Sequence, residues 1–313
     1  MVLIFVGFLA AAQSTGKSGH SVSLGSSVGL LGGEAKEIVY YDKGSKDMLS
    51  QLLWEMKPLW YAGLDLKYSW MNKTGKFGFF ADASYKYGFP CGTGVMEDRD
   101  WASENLIYGR LPNWLTQYSV HSNRTNSATL IDSRLGMAFT IFNQFLLKPY
   151  ISYSYMCFSW KASGGSMLYP YDYGDNFPLP SQVGVIKYKQ TWNIPSLGLS
   201  FYGEFNRYFD IELYTNASPL VWCSSKDYHL LRSLVITDTL FGGWSIEPGL
   251  LFSLRQNGFL TWSLFFSYRH ISGARGNGVY KYYNGLVKFG APDQKGAGYS
   301  VFNAGLAIKF NLF

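Results

Sequence analysis

From Trp54 to Trp70 the chain alternates without a break. Trp54, Met56, Pro58, Trp60, Ala62, Leu64, Leu66, Tyr68 and Trp70 hold the even positions, and Glu55, Lys57, Asp65, Lys67 and Ser69 stand among the odd ones. Successive side chains of an extended backbone point to opposite faces, so this stretch is predicted as one strand with an apolar and a polar face. Soluble strands usually end after about five or six residues. A strand this long suits a membrane crossing that continues past the bilayer, with Trp and Tyr anchoring it at the interfaces.

Composition points the same way. Of 313 residues, 47% are apolar and 18% aromatic, yet only 15% are charged, against about a quarter in soluble domains. The apolar residues are dispersed, and no internal run is long enough for a spanning helix. The net charge of +6 comes without a basic run interleaved with stacking aromatics, which argues against a nucleic-acid partner. It is compatible with attraction to outer-membrane lipid headgroups.

Further alternating segments follow. Val22, Leu24, Val28 and Leu30 open the series; Phe77 to Tyr87 return after a turn at Met71–Gly75, with Asp82 and Lys86 on the face of a polar lumen. Other strands are predicted at 135–141, 147–155, 185–194, 197–205, 209–219 and 230–238. A hairpin at Asn257-Gly258 leads into Phe259–His270, and the last strand runs from Phe302 to Leu312. Segments 88–129, 162–180 and 271–298 lack alternation and are predicted as long loops. Short turns thus alternate with long loops, the pattern of an all-β, ten-stranded antiparallel transmembrane β-barrel extending beyond the outer membrane, long loops outside. Val2–Gln13 is an apolar run ending in small residues. Residues 1–20 are accordingly read as a signal peptide, with a buried strand or helix as the alternative, and residues 21–313 as one barrel. Cys91, Cys157 and Cys223 have no metal-ligand spacing, so no metal is expected. Cys91 and Cys223 each precede an acidic motif; a disulfide between them and free thiols both remain open.

Those motifs carry the chemistry. Asp98 and Asp100 share one strand face, as do Asp227 and His229. Two such pairs facing one cleft could activate a water: the imidazole takes its proton, one carboxylate orients the imidazole, and the others hold the water.

In its chain order the sequence resembles the omptins, outer-membrane endopeptidases built as ten-stranded barrels with an extracellular active-site groove. The resemblance rests on Ser50–Trp54, Met96–Trp101, Phe158–Trp160 with Gly164–Ser166, Tyr188–Gln190 with Pro195 and Gly198-Leu199, and Asp227–His229. It implies that Asp98, Asp100, Asp227 and His229 are catalytic and activate water directly, without metal or cofactor, on peptide or protein substrates. It places Glu37 in the pocket for a basic substrate side chain and His121 in the groove, an exposed loop histidine being the alternative. Two departures stand out. Ser225, followed by Lys226, and Gln117 occupy positions where acids are expected, which predicts relaxed or shifted specificity. Tyr153 matches a lipopolysaccharide-binding residue, but Tyr155, Cys157 and Thr191 replace the charged ones, so the sequence speaks against activation by lipopolysaccharide. A non-enzymatic adhesin or pore on the same barrel is the rival reading, and the oligomeric state is left open.

Overall fold

The computed structural model describes residues 19–41, 44–101, 115–142, 145–169, 176–256 and 258–312. The run proposed as a signal peptide therefore lies mostly outside the described residues, as does Asn257.

The described chain forms fourteen strands: β1 (Gly19–Tyr40), β2 (Met48–Met71), β3 (Phe77–Gly88), β4 (Cys91–Trp101), β5 (Leu115–Phe142), β6 (Phe145–Leu168), β7 (Asn176–Glu204), β8 (Phe209–Ser218), β9 (Val221–His229), β10 (Leu234–Gly242), β11 (Trp244–Gln256), β12 (Leu260–Tyr282), β13 (Val287–Phe289) and β14 (Lys295–Asn311). All pair antiparallel in one sheet, which closes because β8 returns to β7 and β10 to β12. The consecutive strands β3 and β4, β8 and β9, and β10 and β11 are halves of single staves, each half pairing with the same neighbour as the other. Ten staves thus form the ring, with the short β13 set against β12. Closure pairs the backbone groups that an open edge would leave exposed.

The long alternation in β2 is not one face. Trp54 and Met56 are fully buried in the interior, whereas Trp60, Leu64 and Leu66 are 54%, 60% and 50% exposed on the outside. The parity changes at Lys57 and Pro58, which are both exposed. There the β1–β2 register slips between Leu31 and Gly33. One extra residue in a strand turns every following side chain to the other face. Gly33 accommodates the slip with φ +149°; a Cβ there would stand 2.1 Å from the carbonyl oxygen of Ser300. Trp54 is therefore a core residue, not a membrane anchor.

The bulge separates two regimes. Below it, outward Val28, Leu64, Leu135, Ile151 and Leu197 make an apolar band. The interior there carries charge in pairs: Lys148 with Glu212 at 2.8 Å, Arg269 with Glu247 at 2.5 Å and Asp132 at 3.2 Å, and Lys67 with Asp82 at 4.0 Å. Above it, the interior is a stack of Trp54 on Tyr188 (5.4 Å between ring centroids) and Phe158 on Trp160 (5.3 Å).

The three segments predicted as long loops are mostly strand. Residues 91–101 and 115–129 belong to β4 and β5, 162–168 and 176–180 to β6 and β7, and 271–282 and 295–298 to β12 and β14. The reason is visible in β5. Ser119, His121, Asn123 and Thr125 point inward while Ser122, Arg124 and Asn126 point outward. Beyond the bilayer both faces are polar, so the pleat leaves no hydropathy signal. Cys91, Cys157 and Cys223 are free thiols.

If the band faces hydrocarbon, Leu64→Arg costs about 2–4 kcal/mol of stability in lipid vesicles. Urea titration of refolded protein measures it; a loss under about 1 kcal/mol would place Leu64 outside the hydrocarbon.

Candidate active site

β4 and β9 lie four steps apart around the ring, with β5, β6 and β7 between them. Their period-two pairs therefore face each other across the mouth. On one wall Asp98 stands opposite Ser119 and Asp100 opposite Gln117 of β5, with Met96 opposite His121 one pair below. On the other, Asp227 stands between Tyr188 of β7 and Ile236 of β10, and His229 between Ile186 and Leu234. The aromatic stack that includes Tyr188 forms the floor.

The His229 Nε2 lies 2.7 Å from Asp227 Oδ2, close enough for an ion pair although the two are not aligned as a hydrogen bond. Catalytic hydrogen bonds often tighten only when substrate is present. Asp227 is completely buried and His229 is partly open. A carboxylate can only accept, so a proton on Nε2 would satisfy this contact and leave Nδ1 as the basic nitrogen.

Asp98 is 6% exposed, and its Oδ1 has no hydrogen-bond partner among the described residues. Burial, reinforced by the charge of Asp100, pushes its carboxyl up to about 7, against the opposing pull of His229 and Arg232. Near neutral pH the protonated form of Asp98 is therefore well populated and can donate a hydrogen bond.

Asp98 and His229 line one cavity together with Gln117, Ser119, His121, Met167, Val185, Ile186, Leu231 and Arg232. Its volume is ≈ 30 Å³, and a water needs roughly 10–15 Å³ by the same measure. The site therefore has room for a water between Asp98 and the imidazole, while Asp100 and Asp227 stand outside the lining of this cavity. His121 is 1% exposed; it is no exposed loop histidine. Its Nδ1–H donates to the Gly164 carbonyl, where Gly164 and Gly165 adopt left-handed φ of +60° and +88°. A Cβ on Gly165 would lie 1.9 Å from the Val120 carbonyl oxygen, so only glycine permits this approach. Burial lowers the His121 pKa, leaving a neutral ring with Nε2 unpartnered among the described residues.

The residues assigned to the substrate pocket are all buried. Glu37 (2% exposed) and Ser225 (4%) do face inward together, but Lys226 points outward over Tyr228. Ser225 donates its hydroxyl to Asp238 Oδ2 at 2.9 Å, directly across the β9–β10 ladder. A second carboxylate thus stands beside Glu37 after all, supplied by the neighbouring strand. Gln117 accepts a hydrogen bond from Arg232 at 3.3 Å. Asp238, Arg232 and Lys295 escaped sequence reasoning because they lie in no motif; the only available signal was that Asp238 follows the Asp227–His229 strand by one hairpin. On the outer face, Lys161 pairs with Lys187 and Lys189 with Lys226 beside Cys157 and Thr191, so cations stand next to those positions rather than on them. Among the described residues no group of three His, Cys, Asp or Glu side chains is arranged to hold a metal ion.

Residues 18–312 match the Omptin family. The chain is 28% identical over 229 residues to a plasminogen activator of Yersinia pestis, covering 72% of this chain and 68% of that protein. It is 28% identical over 228 residues to the outer membrane protease IcsP of Shigella flexneri, covering 70% and 68%. Its fold superposes on the crystal structure of the outer membrane protease OmpT from Escherichia coli with a TM-score of 0.79 at 19% identity, covering 93% of this chain and 96% of that one.

The raised carboxyl of Asp98 gives a pH signature. Its folded pKa (about 7) exceeds its unfolded value near 3.8. Its contribution to stability is therefore fully present below pH 4 and falls as pH rises toward 7, where the loss levels off. Asp98→Asn should leave stability unchanged at pH 4 and raise it at pH 8. Chemical denaturation in detergent at both pH values is the measurement; equal differences at the two would contradict the burial argument.

Proposed function

Because the chain belongs to the Omptin family, we propose that it is an outer-membrane endopeptidase whose groove, open to the exterior, hydrolyses peptide or protein substrates with a directly activated water. The observation that carries this reading is that Asp98 and His229, from opposite walls, line one and the same cavity.

In the proposed mechanism a water sits between the two walls. His229 Nδ1 takes its proton as the oxygen attacks the scissile carbonyl carbon. Asp227, 2.7 Å from Nε2, stabilises the imidazolium that forms. Asp98 in its protonated form hydrogen-bonds the water or the developing oxyanion, with Asp100 beside it on the same wall orienting the attack. The tetrahedral intermediate collapses as the C–N bond breaks, and the imidazolium returns its proton to the leaving amine. No cofactor enters this scheme.

A pore is a poorer fit to the interior. Trp54, Phe158, Trp160 and Trp192 are all fully buried and fill the ring below the groove.

His229→Ala and Asp98→Ala should each lower peptide hydrolysis by the refolded protein about 10²-fold or more, with the far-ultraviolet spectrum unchanged. Parent-like cleavage by both variants would sink the assignment.

A further inference from the structure

Directly inside the Asp227–His229 pair lies a second charged cluster that the proposed mechanism does not use. Glu37 from β1 and Asp238 from β10 converge there, each 2% exposed. Into the space between them reaches Lys295, the first residue of β14. Its Nζ is 3.4 Å from Glu37 Oε1 and 4.0 Å from Asp238 Oδ1, and the residue is 1% exposed. The Tyr280 ring lies 5.3 Å from the same ammonium.

Two buried carboxylates this close to a third, Asp227, repel one another, and burial raises both Glu37 and Asp238 above their ordinary values. Such a cluster needs a cation. Glu37 Oε2 remains without a hydrogen-bond partner among the described residues, so the cluster can accept more than Lys295 donates. Ser225, two residues from Asp227 on the same strand face, completes the wall by bonding Asp238. The cluster therefore has the chemistry of a pocket for a basic side chain, placed beside the reacting groups and already occupied by a side chain of the barrel itself.

We propose that Lys295 is a tethered occupant of this acidic pocket, and that it makes the protein reject Arg and Lys beside the scissile bond in favour of uncharged side chains. Arg232 supports the same preference from the other side. It lines the water-sized cavity and is held by Gln117, so a basic substrate residue approaching there meets a like charge. This proposal rests on the endopeptidase reading for its substrate but not for its pocket. A guanidinium entering the parent must displace a buried ion pair; once the ammonium is gone, the same carboxylates attract the guanidinium bidentately.

Two arms test it. In the first, parent protein, Lys295→Ala and Lys295→Ala/Asp238→Asn digest a peptide library in detergent. The double variant keeps the formal charge of the pocket and guards against loss of folding in the single one. The parent should cleave next to uncharged residues, and the variants should gain roughly tenfold or more for Arg or Lys at one flanking position. Adding Glu37→Gln should remove the gain. In the second arm, titration calorimetry follows N-acetyl-argininamide, which should bind the double variant at least about tenfold more tightly than the parent. The second arm does not depend on turnover. A gain in binding without any His229-dependent cleavage would reject the endopeptidase and retain the pocket. His229-dependent cleavage with no gain in either arm, or a parent that already prefers Arg or Lys, would overturn the role of Lys295.

Discussion

The backbone of a strand in hydrocarbon has no water to satisfy its N–H and C=O groups, so the sheet must close on itself. Everything else in this protein follows from that closure. It requires β8 to meet β7 and β10 to meet β12, and so it brings β4 and β9, distant in sequence, to face each other across one opening. It also forces alternate residues into a shared interior. In the membrane-crossing part that interior is a lattice of opposite charges, in which Arg269 alone joins Asp132 and Glu247. Near the mouth it is aromatic, and the stacked, fully buried rings of Trp54, Trp160 and Tyr188 give the groove its floor.

The boundary between these regimes is set by one register slip. Up to Met56 the even residues of β2 face inward, and from Trp60 they face lipid, because the pairing shifts between Leu31 and Gly33. Hydropathy alone reads both stretches as apolar on even positions, since an aromatic core and a lipid face ask for similar side chains. The same blindness operates in reverse in β4 and β5. There Ser119, His121 and Asn123 face inward to a polar groove while Ser122 and Arg124 face water. The pleat continues, but no contrast in hydropathy reports it, and strands look like loops.

The site shows the same division between local and distant information. Asp98 with Asp100, and Asp227 with His229, were legible because a spacing of two on a strand fixes a common face wherever the strand goes. The charge distribution of the buried cluster beside them was not. Ser225 carries no charge, but it donates to Asp238 of the next strand, and Lys295 stands between Asp238 and Glu37. Charge in a buried cluster is a property of all the walls at once, and these walls are drawn from β1, β9, β10 and β14.

The sequence by itself determined the all-β character, the closed barrel, the side of the barrel that carries the chemistry and the four polar residues that face the groove, because each depends on local periodicity or on contiguous motifs. Only the tertiary structure decided that Trp54 is core, that the mouth is built of strands, that His121 is buried against Gly164, and that Lys295 sits between Glu37 and Asp238 beside the Asp227–His229 pair. Those facts depend on register between strands far apart in the chain, and a one-residue slip there reverses inside and outside without changing the local pattern of side chains.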